Sequence, residues 1–272
     1  MSYLQLEGKK YLIVGVFNKK SIAYHAASVL QGEGAECIYV VKDNAVKGKV
    51  EQFIPNADIY VCNVENQDEL GNLYKEVSKK HSKLDGMLHS IAFANYSEGL
   101  APFHETVKKD FLQAMDISCF SLINLSNVFK DLFDKNASVI TMTVPFTRLA
   151  VEHYGYMASV KAALETSVLY LAKSFSKFSN VRFNAVSASA LKTSSAAGIP
   201  EFMKIYLCAE KLTIRKNAVE TREIADVIAF LLSNRSSAIN GQTVTADAGM
   251  STNTFDKDIM DLIYRQECAL KQ

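Results

Sequence analysis

The sequence is short of the residues that give a backbone unusual freedom. It has 12 glycines among 272 residues, 4 prolines and no tryptophan, where ordinary composition (~7% glycine) would supply about 19 glycines. That excludes collagen-like repeats and glycine-rich linkers, and leaves few positions for left-handed turns. The five cysteines, Cys37, Cys62, Cys119, Cys208 and Cys268, are odd in number and far apart, with no C-x-x-C pair. They supply neither a disulfide framework nor a zinc site, and read as thiols of a reducing compartment. The five histidines are equally scattered, without H-E-x-x-H, so no metal is expected. An excess of one charge is lacking too. Lys+Arg 30 against Asp+Glu 29 leaves +1, which argues against a nucleic-acid or membrane-surface role. No uncharged run approaches the ~20 residues of a membrane helix. The apolar stretch 11–17 is too short for a signal peptide and has Lys19-Lys20 behind it in place of a cleavage site. A cytoplasmic protein is expected.

What is present alternates. Short β-branched apolar runs at residues 11–14, 37–41, 59–62, 87–91, 139–143, 181–186 and 243–246 have the two-sided character of buried parallel strands. Between them, Leu70, Leu73, Tyr74 and Val77, and later Ile224, Val227, Ile228 and Leu231, recur at helical spacing. Strand–helix alternation without a linker predicts an α/β fold, one doubly wound parallel sheet of about seven strands spanning residues 1–272. Residues 194–215, with Ile199, Phe202, Ile205 and Tyr206 at helical spacing, read as a helical insertion where such folds carry a substrate lid; a packed surface helix is the alternative. The tail 252–272 carries an amphipathic Ile259-Leu262-Ile263 pattern with no role assigned to it.

A doubly wound sheet binds its ligand beyond the carboxyl ends of its strands. The first such loop, Gly15-Val16-Phe17-Asn18-Lys19-Lys20-Ser21-Ile22-Ala23, has one glycine and is not G-x-G-x-x-G. A helix N-terminus still offers N–H groups to a diphosphate, and Ser21 is positioned to cap that helix.

Gly15-Val16, five positions, then Ser21-Ile22-Ala23-Tyr24 resembles the first loop of the enoyl-acyl-carrier-protein reductases, a divergent branch of the short-chain dehydrogenase/reductase family. The likeness continues through Asp85 to Ala94, Asp116-Ile117-Ser118, Tyr154 to Lys161, Val181 to Ala188 and Asp247-Ala248-Gly249, over roughly residues 6–252. The resemblance implies a Rossmann-type fold and a nicotinamide dinucleotide, NAD(H) or NADP(H). Gly15, Ser21 and Ile22 would line its pyrophosphate and Asn63-Val64 its adenine. Ser90, Ile91 and Ala92 would run beneath it, and Leu191 and Thr193 would meet the nicotinamide end. Lys42 ends the second strand region, followed by Asp43, with Lys19 and Lys20 nearby. A basic residue there attracts a 2′-phosphate where an acidic one repels it, so NADPH is expected to be accepted; solvated surface charges are the alternative.

The common Tyr-x3-Lys is absent. Tyr154-x6-Lys161 stands after the fifth strand region, with Met157 between, and offsets 0, 3 and 7 would put all three on one helical face. The resemblance implies reduction of a trans-2-enoyl thioester, with Tyr154 stabilising charge on the thioester oxygen and Lys161 fixing the nicotinamide ribose. Phe93, Val144, Met157, Ile199 and Phe202 are the candidate lining of the acyl pocket. The expected partners are an enoyl substrate carried on acyl carrier protein, received by Lys204, Lys211, Arg215 and Lys216, and three further copies in a homotetramer. Its faces would come from segments 107–132 and 154–175.

The pattern also breaks. Val144 stands where the family has a second tyrosine, and His153 precedes Tyr154. Ala92, Ser189 and Ala248 occupy positions where the family uses glycine, each adding a side chain where backbone usually approaches closely. An active enoyl-thioester reductase is the leading expectation. A related reductase with altered substrate, or a catalytically retired nucleotide-binding paralogue, remains open at this stage.

Overall fold

Each buried apolar run becomes a strand because both its faces are covered by helices. A computed structural model describes residues 2–95, 99, 101–152 and 154–270. In chain order the elements are β1 (Lys10–Val14), α1 (Ile22–Gly32), β2 (Glu36–Val41), α2 (Asn44–Glu51), β3 (Asp58–Val61), α3 (Gln67–Lys80) and β4 (Leu84–His89). Then come α4 (Lys108–Met115), a single π-helical turn (Asp116–Phe120), α5 (Ser121–Val128), β5 (Phe133–Thr143), α6 (Met157–Phe175) and β6 (Arg182–Ala188). The last elements are α7 (Ser194–Ala197), α8 (Phe202–Leu212), α9 (Thr221–Leu232), β7 (Thr243–Ala246) and α10 (Lys257–Leu270).

The strands form one parallel sheet in the order β3-β2-β1-β4-β5-β6-β7. Alternate residues of a strand point to opposite faces. Leu12, Val14, Ile38 and Val40 therefore join α3, α5 and α6 in one core, while Tyr11, Ile13, Tyr39 and Val41 join α1 and α9 in the other. Strand order reverses between β1 and β4, so the loops leaving those two strands diverge and open a crevice between them.

Several boundaries differ from expectation. β4 stops at His89, leaving Ser90 and Ile91 in the loop, and β5 begins already at Phe133. Segment 107–132 is two helices joined through the π turn. The insertion is also broken in two: Ile199 falls between α7 and α8, where Glu201 holds a left-handed φ of 56°. The tail forms α10 with Met260, Leu262, Ile263 and Tyr264 exposed. Its start is tied down by Asp256, which pairs with Lys216 and accepts from the Asp258 N–H. Among the described residues no helix is long and apolar enough to cross a membrane.

Candidate functional site

Gly15 leaves β1 with φ +105°. A Cβ built there would lie 2.3 Å from the Ser90 carbonyl oxygen and 2.8 Å from Ile91 Cγ2. Only glycine allows the first loop to lie directly on the loop after β4. Backbone bonds anchor both loops: the Gly15 N–H donates to Val40 of β2 at 3.1 Å, and the Ser90 N–H donates to Val14 at the end of β1 at 3.0 Å. Ser21 does not cap α1 as expected. Its hydroxyl instead accepts from the Phe17 and Asn18 N–H groups at 3.1 and 3.0 Å, curling the loop back on itself and sparing the first N–H groups of α1. With no acidic side chain in that first turn, the helix end suits an anion.

Around this floor the remaining cofactor candidates divide by exposure. Val64 is buried and Asn63 half-buried; the Asn63 N–H donates to Glu69 at 2.7 Å, which fixes the turn after β3. Lys42, Lys19 and Lys20 are all exposed. The neighbouring Asp43 is committed to α2, its carboxylate accepting the Val46 N–H at 2.8 Å. Ala92 is exposed and Ser189 buried, and neither has a left-handed φ. Ser189 directs its hydroxyl to the Met250 sulfur at 3.3 Å. Of the three positions where glycine was expected, only Ala248 is strained, at φ +52°. Ala92 and Ser189 therefore do not need glycine for their backbone conformation, whereas Ala248 does strain it.

Tyr154 does not sit on the helix. α6 begins at Met157, and Tyr154 lies in the preceding turn, where Gly155 takes φ +55°. The expected single helical face of Tyr154, Met157 and Lys161 is thus replaced by a turn that feeds a helix, because glycine at 155 permits a left-handed step. Tyr154 is buried at 8% exposure, its ring edge-on to Phe146 at 5.3 Å. Phe146 follows closely on Val144, so an aromatic does stand beside Tyr154, two positions later than the family pattern places one.

Lys161, 5% exposed, lies on the first turns of α6 and donates from Nζ to the Met142 carbonyl at 2.9 Å. Burial pulls its ammonium down to about 8, with Cys119 and Glu165 opposing that fall. The carboxylate of Glu165 accepts from Thr143 at 2.8 Å and Thr147 at 3.1 Å. Beneath lies His89, fully buried, with Nδ1 2.9 Å from Thr141 Oγ1 and Nε2 2.8 Å from Ser121 Oγ. Ser121 gives its proton to the Ile117 carbonyl at 2.6 Å, so His89 must donate from Nε2 and accept at Nδ1. Burial, with Lys161 as the next cause, drives its pKa to about 3 and keeps the ring neutral. This relay braces the π turn, whose Ser118 both accepts from the Phe93 N–H at 2.9 Å and donates to the Phe93 carbonyl at 3.2 Å.

The pocket candidates reach different depths. Met157 is buried, Val144, Ile199 and Phe202 are half-buried, and Phe93 is exposed. Leu191 is buried, and Thr193 caps α7 by accepting the Ala196 N–H at 3.2 Å. The insertion touches the first loop directly: Asn18 Nδ2 donates to Ser194 Oγ at 2.6 Å. The basic patch proposed for a carrier protein is largely neutralised, since Lys204 pairs with Glu201, Arg215 with Glu223 and Lys216 with Asp256. His153 lies outside the described residues. The sequence reading gave no role to Phe146, Ser118, Asn18 or Tyr156. Ser118 stood in the matching block Asp116-Ile117-Ser118, Tyr156 in the block Tyr154 to Lys161 and Asn18 in the first loop, while Phe146 stood in none of these.

The family model described as enoyl-(acyl carrier protein) reductase matches residues 15–251. The chain is 35% identical over 251 residues to the NADPH enoyl-acyl-carrier-protein reductase FabI of Staphylococcus aureus, covering 90% of this chain and 98% of that one. It is 32% identical to the NADH enzyme of Escherichia coli K12, covering 90% of this chain and 95% of that one. The crystal structure of the NADH enoyl-acyl-carrier-protein reductase from Aquifex aeolicus superposes with a TM-score of 0.87 at 32% identity, over 91% of this chain and 98% of that chain.

Proposed function

This chain belongs to the enoyl-(acyl carrier protein) reductase family, and on that premise we propose that Tyr154 and Lys161 carry out its reaction. The activity is the NAD(P)H-dependent reduction of the trans-2 double bond of an enoyl thioester, a step of fatty acid synthesis.

The residues fit a nicotinamide dinucleotide. Gly15 lets the first loop lie directly on the loop after β4, where a Cβ would meet the Ser90 carbonyl, and α1 begins there without an acidic side chain. Gly15, Ser21 and Ile22 would hold the diphosphate, Asn63 and Val64 the adenine, Ser90, Ile91 and Ala92 the underside, and Leu191 and Thr193 the nicotinamide end. When bound, the reduced ring supplies the hydride.

The chain's own groups handle position and charge. Lys161 would hold the ribose, and its ammonium, 5% exposed on the Met142 carbonyl, favours ionisation of nearby hydroxyls. Tyr154 donates its hydroxyl hydrogen bond to the thioester oxygen, where negative charge develops in the transition state. Phe146 against its ring restricts where that hydroxyl can swing. Residues 194–215 act as the lid over the acyl chain, and residues 252–272 form an appended tail to the single domain.

The observation that carries this reading is a buried lysine on the first turns of α6, the helix that follows the turn bearing a buried tyrosine, at the sheet's carboxyl edge. A crotonyl thioester assay with fluorescence titration of the cofactor tests it. Tyr154→Phe is expected to lower kcat about 10²–10³-fold with cofactor affinity intact. Lys161→Met is expected to weaken cofactor binding roughly 10–100-fold. Wild-type turnover in both variants would remove the assignment.

Lys42, with Lys19 and Lys20, supports acceptance of NADPH, since Asp43 is occupied at the start of α2. A homotetramer is supported by Leu112, Phe120, Leu169 and Tyr170, exposed along α4, the π turn and α6. The five unpaired cysteines suit the cytoplasm.

A further inference from the structure

We infer that Tyr156 is a positioning residue that fastens Asn95 of the loop after β4 to the turn bearing Tyr154, and so sets the substrate side of the cleft independently of the cofactor side. The Tyr156 hydroxyl accepts from the Asn95 N–H at 3.0 Å and donates to the Asn95 carbonyl at 3.2 Å. One side chain therefore satisfies both backbone groups of a loop residue 61 positions away in sequence. Asn95 is gripped a second time, its Nδ2 donating to Asp110 Oδ1 on α4 at 3.1 Å. The Tyr156 ring meets Phe111 of the same helix edge-on at 6.2 Å. Asp110, Asn95, Tyr156 and Phe111 thus join α4, the loop and the start of α6.

The loop is pinned in stages, and the stages differ in what holds them. Ser90 is held by the β1 backbone and by the approach of Gly15. Phe93 is held by Ser118 through the same two-way backbone grip. Asn95 is held by Tyr156, which is joined to Tyr154 through one glycine. Removing the last clamp frees Asn95, beyond the points held by Gly15 and Ser118, together with the turn that aims Tyr154. The inference rests on the reading of Tyr154 as the catalytic hydroxyl.

Tyr156→Phe removes the hydroxyl and keeps the ring on Phe111. In the full-length enzyme the KM for a crotonyl thioester is expected to rise about tenfold and kcat to fall. The cofactor dissociation constant should stay within about twofold, and the melting temperature within a couple of degrees. Asp110→Ala loosens the same Asn95, so the double variant should lose less than the product of the two single losses. An unchanged thioester KM in Tyr156→Phe overturns the inference. So does a loss of cofactor affinity matching the rise in KM, because that marks general loosening. Full turnover in Tyr154→Phe would instead remove the catalytic reading, while the thioester KM of Tyr156→Phe would still report on the clamp.

Discussion

Gly15 and Ala248 both hold a left-handed backbone, at φ +105° and +52°, at opposite ends of the chain. At the first loop a Cβ would stand 2.3 Å from the Ser90 carbonyl, so steric contact as well as torsion demands glycine. At the loop after β7 the torsion alone resists a side chain, and alanine accepts the strain. The local frame there is strong: Asp247 is buried and accepts from the Gly249 and Ser251 N–H groups at 2.9 Å each, and the Ala248 carbonyl accepts from the Ile214 N–H at 3.0 Å. A glycine-poor chain has kept the residue where two backbones touch and given it up where hydrogen bonds can impose the conformation.

The harshest way to break that contrast is Gly15→Ala. The methyl must displace the Ser90 carbonyl or the first loop, and the two form the floor of the crevice. Cofactor affinity should fall by at least about tenfold, ~1.4 kcal/mol, with a lower melting temperature, both measurable by titration and calorimetry. Cofactor binding equal to wild type would mean that the floor can yield, and the two loops would then differ in degree only.

How far the sequence disclosed this site follows the range of the interactions involved. Buried strands were readable because a two-sided covering leaves an unbroken apolar run, as at residues 37–41. The places of Gly15 at the end of β1 and Lys161 on α6 were readable because short motifs carry them, whereas Ser21 was expected to cap α1 and does not. Spacing alone misplaced Tyr154, since offsets 0, 3 and 7 assume a helix and Gly155 breaks it. In residues 194–215 the helical period held for Phe202, Ile205 and Tyr206 on α8 and missed Ile199, which lies before the left-handed Glu201. What stayed hidden was pairing at a distance. Ser118 meets Phe93 across 25 positions, Tyr156 meets Asn95 across 61, and Asn18 meets Ser194 across 176. No local pattern encodes such partners; the sheet order brings them together. Neutralised charges were hidden likewise, because Lys216 and Asp256 lie in different segments.

A milder change sharpens the comparison along the cofactor itself. Gly15 acts through backbone contact, while Lys42, exposed beyond β2, would act through a screened charge. Lys42→Ala should reduce the preference for NADPH over NADH only about 2–5-fold, the scale of a solvent-exposed ionic contact. The effect should shrink further as ionic strength rises. The ratio of kcat/KM for the two cofactors at two salt concentrations measures it. An unchanged ratio at low salt would leave Lys42 as an ordinary surface lysine.

The smallest effect is expected at the other end of the contrast, in Ala248→Gly. A left-handed alanine costs ~1–2 kcal/mol that glycine does not incur, but glycine adds ~0.4–1 kcal/mol of chain entropy to the unfolded state. The difference is a net gain of about 0.8 kcal/mol, which in a chain of this size raises the melting temperature about 1–2 °C. Ala248 neighbours Asp247 and Gly249 and lies away from the crevice floor formed by Gly15 and Ser90, so kcat and cofactor affinity should not move. Calorimetry alongside the thioester assay separates the two readouts. A destabilised Ala248→Gly would show that the methyl makes contacts worth more than the torsion costs, and alanine there would be a packing choice instead of a tolerated strain.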